Sequence, residues 1–154
     1  MLGSDNTAAV SVPASVTIAP NATTTTFNVT TAPVAAKTSV KISATYGTTA
    51  RTASLTVTVA VLSSLTLSPT SVKGGTQVIG TVTLSGPAPP LGAIVSLTSS
   101  NTSVSTVPLT VTVPANTAST TFAIATSPVT AKKSVTISAK FGNVTQRVTL
   151  TVTP

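Results

Sequence analysis

The sequence predicts an all-β protein made of tandem two-sheet sandwiches, and three observations predict it. Val and Thr dominate the chain, and both favour a pleated, half-buried surface over a helix. Apolar and polar residues alternate with a period of two, while no stretch places apolar residues at i, i+3, i+4 and i+7. Gly, Pro and Asn cut the alternating runs into short pieces at the spacing of sandwich strands.

The elements follow from a repeat. Displaced by 95 residues, Asn6–Val59 lies on Asn101–Pro154 without a gap, and nearly half of the positions are identical. VPASVTIAPNATTTTF (12–27) matches VPLTVTVPANTASTTF (107–122), and APVAAKTSVKISATYG (32–47) matches SPVTAKKSVTISAKFG (127–142). Residues 1–60 therefore form a partial domain that keeps its last four strands, expected near 14–18, 24–30, 39–46 and 52–59. Met1 aligns just past Val95, so three N-terminal strands have no counterpart in this first copy.

Residues 61–154 form the complete domain of about seven strands, near 62–68, 77–85, 93–98, 109–113, 119–126, 134–141 and 144–153. Within 134–141, Val135, Ile137, Ala139 and Phe141 share one face, and Ser134, Thr136, Ser138 and Lys140 the other. In the last run Val144, Gln146, Val148, Leu150 and Val152 point inward, and Gly142-Asn143 joins the two runs as a tight hairpin. Phe27, Phe122, Tyr46 and Phe141 fall on inward registers and are expected as core fillers. The junction ASLTVTVAVLSSLTLSP (53–69) carries no Gly- or Pro-rich tether, which predicts domains set end to end with limited hinge motion.

Composition removes whole classes of function. The 154 residues include one carboxylate, Asp5, and no His, Cys, Glu or Trp. General acid–base chemistry and activated nucleophiles need such groups, so no enzyme is expected. Zinc and calcium sites need several of them, so neither a metal nor a cofactor is expected. The opening residues MLGSDNTAAV lack a basic n-region and an apolar h-region, so no secretory signal is expected there. No apolar run nears the roughly 18 residues that cross a bilayer, so membrane insertion is not expected.

The formal charge of +7 comes from eight cations with almost nothing opposing them. Its functional reading is a patch for an acidic glycan formed by Lys132, Lys133, Lys140 and Arg147. Its plainer reading is that scattered cations keep strand edges soluble. Nucleic acid is not expected as a partner, because only Lys132-Lys133 is a cluster and no aromatic platform is spare. N-x-S/T sequons at Asn21, Asn28, Asn101 and Asn143 are candidate glycosylation sites. A Lys–Asn isopeptide crosslink is rejected, because the second copy has no acid to shuttle the proton. Ice binding by the T-x-T runs is disfavoured, because sandwich sheets twist away from a flat lattice match.

LTLSPTSVKGGTQVIGTVTLSGPAP (65–89), with SVTISAKFGNVTQRVTLTVTP (134–154), resembles the Ig-like tandem repeats of large secreted and cell-surface proteins of bacteria. The resemblance implies Ig-like β-sandwiches, an extracellular or cell-surface location, and a role as stalk, spacer or fibre block without catalytic residues. The expected function is a structural subunit of an extracellular filament, pilus-like fibre or surface stalk. Its incomplete first sandwich would be completed by strands from a neighbouring chain or an upstream repeat, with other copies of the same chain as partners. The alternatives are an adhesin or glycan-binding module using the basic patch, and an inert spacer in a secreted multidomain protein.

Overall fold

The computed structural model describes Met1–Pro154, an all-β chain without a helix. It divides into two compact units, Met1–Val59 and Ala60–Pro154.

Unit 1 contains β1 (Leu2–Ser4), β2 (Val10–Ser11), β3 (Thr30–Thr31), β4 (Thr38–Tyr46) and β5 (Thr49–Val57). One sheet has the order β1-β4-β5, and β2 pairs with β3 in a second, two-stranded ladder. The β4–β5 hairpin turns at Gly47, whose φ of 58° suits a residue without a Cβ. Only Ala9, Val10 and Val40 are fully buried, with Val34, Ile42, Leu55 and Val57 packed partly against them. Two expectations fail here. No strand forms at 14–18, and of the expected 24–30 only Thr30 enters a ladder. Conversely, β1 forms where the period-two reading placed no strand.

Unit 2 contains β6 (Leu62–Ser68), β7 (Ser71–Lys73), β8 (Val78–Leu84), β9 (Ala93–Ser99), β10 (Ser105–Thr106), β11 (Thr110–Val113), β12 (Ser119–Thr126), β13 (Lys133–Phe141) and β14 (Val144–Thr153). The seven longer strands lie on the alternating runs of the sequence. The short β7 and β10 are additions, since two or three residues are too few to show a period. The strands form two sheets, ordered β10-β12-β8-β6 and β11-β9-β13-β14-β7. All pairings between these strands are antiparallel except β7 with β14, which run parallel from Ser71↔Thr151 to Lys73↔Thr153.

Both sheets turn their apolar face toward one core, so unit 2 is sandwich-like. Val78, Val82 and Leu84 of β8, with Phe122 and Ile124 of β12, meet Val135, Ile137 and Ala139 of β13 and Leu150 and Val152 of β14. At Gly80 the missing side chain is a packing requirement. The Phe122 ring, opposite in the ladder, occupies the space where a Cβ would sit. The hairpin at Gly142, with φ 58°, pairs Phe141 with Val144 and so holds both strands in register.

Candidate functional site

The two units share one hydrogen-bond plan across the 95-residue displacement. In unit 2, Ala139 pairs with Leu97 and Ser138 with Thr98; in unit 1, Ala44 pairs with Leu2 and Ser43 with Gly3. Ser105↔Thr126 in unit 2 corresponds to Val10↔Thr31 in unit 1. The Asn101 carbonyl accepts from the amides of Val104 and Ser105 at 3.2 and 3.0 Å, and the Asn6 carbonyl accepts from Ala9 and Val10 at the same distances. Unit 1 is thus the second half of the unit 2 architecture, held in the same register.

The strand expectations failed because ladders need partners. In unit 2, β11 pairs with Ala93–Ser96 of β9, and β12 pairs with Val78–Thr83 of β8. Unit 1 contains no counterpart of residues 62–95, so its 14–18 and 24–29 have nothing to bond across. Where a partner does exist, pairing is retained. The Leu2 amide donates to the Ala14 carbonyl at 2.8 Å, as Leu97 does to Leu109 at 2.9 Å.

The same half supplies apolar cover. Ten of the twenty buried residues of the unit 2 core lie between Leu62 and Val95. Without that cover unit 1 keeps an open groove of about 860 Å³, lined by Val16, Ile18, Ala44, Tyr46 and Arg51 among others. Ile18 is 52% exposed, whereas its counterpart Val113 is fully buried. Phe27 is 37% exposed, against 6% for Phe122. Tyr46 is 93% exposed, and its counterpart Phe141 is half-buried against the core. Phe27 and Tyr46 are therefore not core fillers in unit 1, because the surface that would bury them is missing. The sequence signal for the groove was the truncated repeat. Its lining could be named only once the register was known.

The sole carboxylate has a structural task. Asp5 donates its amide to the Lys41 carbonyl at 3.1 Å and accepts the Lys41 amide on Oδ1 at 2.9 Å. Ser100 does the same toward Thr136 in unit 2, with its amide at 3.0 Å and its Oγ at 2.9 Å. Asp5 thus extends the β1–β4 ladder by one side-chain bond.

The four proposed patch cations fall into two groups. Lys140 stands opposite Thr145, and Arg147 is two residues further along β14, so they are diagonal neighbours on the outer face, roughly 7–8 Å apart. Lys133 lies at the far end of β13, roughly 24 Å from Lys140 at about 3.4 Å per residue, and Lys132 precedes it. All four are exposed but form no single patch. Asn21, Asn28, Asn101 and Asn143 are all exposed, and Asn101 Oδ1 also accepts from the Ser103 amide and hydroxyl at 3.2 and 2.7 Å. A hollow of about 360 Å³ on unit 2, beside Gln77, Pro108 and Thr126, presents no charged side chain.

Comparison of the sequence with protein-family models and with curated proteins finds no match to either.

Proposed function

We propose that this chain is a non-enzymatic structural segment of an extracellular filament, pilus-like fibre or surface stalk. It consists of tandem Ig-like sandwiches, the first completed by strands from a neighbouring chain or an upstream repeat. One observation carries the reading: unit 1 keeps the register of a full sandwich while its inner face stays open to water. Exposed apolar surface beside unpaired backbone is a template for strand addition, in which main-chain hydrogen bonds give affinity and alternate side chains give register.

The Thr-rich, weakly charged surface with four exposed sequons supports an extracellular setting. Neighbours in such a fibre include further copies of the chain, and head-to-tail contacts propagate unless they close into a ring. The adhesin reading is weaker, because the geometry leaves it only the Lys140–Arg147 pair. Salt separates the two readings. Polyanion binding falls steeply with ionic strength, whereas strand-mediated assembly hardly responds.

Electron microscopy of the native material tests the proposal. Ordered fibres or rods with a regular axial repeat, stable in high salt, are expected. Dispersed monomers under all conditions would overturn it.

A further inference from the structure

The strand-complementation reading leaves open what recognises the groove, and the intact unit provides a template. In unit 2 the face equivalent to the groove is covered by residues 62–95, whose inward side chains include Leu65, Val78, Val82 and Val95. Gly74 and Gly80 in that stretch are sterically required by residues of the other half. A Cβ at Gly80 would enter the Phe122 ring, and one at Gly74 would lie 2.5 Å from the Ser127 carbonyl oxygen and 2.7 Å from Pro128 Cα. Unit 1 retains the residues that impose both demands, with Phe27 for Phe122 and Ala32-Pro33 for Ser127-Pro128. It also retains the polar clasp. Thr126 Oγ1 accepts from the Gly75 amide at 3.1 Å and donates to the Thr76 carbonyl at 2.6 Å, and Thr31 stands at the equivalent place, exposed.

We propose that the open face of unit 1 takes a β-segment of the 62–95 type, selected by a glycine that its central strand sets against Phe27. A second glycine, six residues earlier, passes over Ala32-Pro33. The inward positions two before, two after and four after the selecting glycine are apolar, like Val78, Val82 and Leu84. This occupant belongs to a repeat outside these 154 residues and is not borrowed from a second copy. Residues 1–154 hold one such segment and two second halves that need one, so exchange between copies of this stretch fills one groove only by opening another.

The alignment supplies the test. Residue 95 corresponds to the position directly ahead of Met1, so residues 62–95 joined to the N-terminus of the full chain restore the continuous path seen in unit 2. Tyr46 is the only Tyr, Trp is absent, and Tyr46 lines the groove, so tyrosine fluorescence reports on this site alone. In the fused protein we expect an altered Tyr46 emission, and slowing of amide exchange in 24–30 and in β4 and β5 by at least tenfold. Gly80→Leu in the added segment alone should abolish both effects, although Leu suits a strand better than Gly.

Unprotected amides in the fused protein, or equal protection with the Leu variant, would overturn the proposal. So would a concentration-dependent Tyr46 change in the unfused chain, which would identify a second copy as the occupant. Fibres in the micrographs with no protection in the fusion would sink this inference and leave the fibre reading standing. Protection without fibres would do the reverse.

Discussion

Ser105 is the one buried side chain whose polar atom has no partner, and it makes a direct test of the core packing. It is 1% exposed, and its Oγ finds neither donor nor acceptor. Unit 1 places Val10 at the same point in the repeat, fully buried. A buried hydroxyl without a hydrogen bond costs about 1–3 kcal/mol. Removing one oxygen forfeits a few contacts of about 0.1–0.2 kcal/mol each. The desolvation cost is the larger, so Ser105→Ala should stabilise unit 2 by about 1 kcal/mol. For a unit of this size that raises its midpoint by about 4–8 °C.

Scanning calorimetry of the full chain, with urea unfolding in parallel, measures the shift. Ser105→Val should gain less, because Val104 beside it already exceeds Ala9 of unit 1 in volume. The double change Val104→Ala with Ser105→Val reproduces the unit 1 pair and should recover the gain. Destabilisation of about 1 kcal/mol or more by Ser105→Ala would refute the reasoning, because the hydroxyl would then be bonded within the fold.

The other predictions rest on the same contrast between a filled and an open sandwich. Amide exchange in β13 and β14 should be far slower than in β4 and β5, since the buried cluster of unit 2 has twenty members and that of unit 1 three. Equal protection would contradict the open face. Phe122→Ala should cost unit 2 about 3–5 kcal/mol by calorimetry, whereas Phe27→Ala in the uncomplemented chain should cost less, about 1–2 kcal/mol, because Phe27 keeps 37% of its surface in water and belongs to no buried cluster. Gly142→Val forces a β-branched residue to a φ of 58° and should lower unit 2 stability by about 1–2 kcal/mol in urea. Asp5→Ala should cost unit 1 about 1 kcal/mol through the lost Lys41 bond, while Asp5→Ser restores the Ser100 arrangement and should be near neutral.

Much of this architecture was legible in the residues because strand signals are local. The alternation in 134–141 names Val135, Ile137 and Ala139 as inward without reference to any partner, and Gly142-Asn143 marks its own turn. The misses share a cause. VTI at 16–18 and TTF at 25–27 carry strand propensity, yet a strand exists only as part of a ladder, and their partners are absent from unit 1. The β1 strand was within reach, since Leu2–Ser4 aligns with Leu97–Ser99 at the end of β9. The grouping of cations was not. Seven residue steps of extended chain separate Lys133 from Lys140, while a hairpin returns Arg147 beside Lys140.

Composition, period and repeat alone settled the all-β class, the positions of the seven longer strands of unit 2 and the presence of only part of the repeat in residues 1–60, because each depends on neighbours in sequence. Register, the choice of sheet for each strand, the steric demand of Phe122 on Gly80 and the exposure of Phe27, Ile18 and Tyr46 were decided by tertiary structure. Burial belongs to what lies across the sheet or the core, and residues that match at aligned positions meet different surroundings when half of the sandwich is missing.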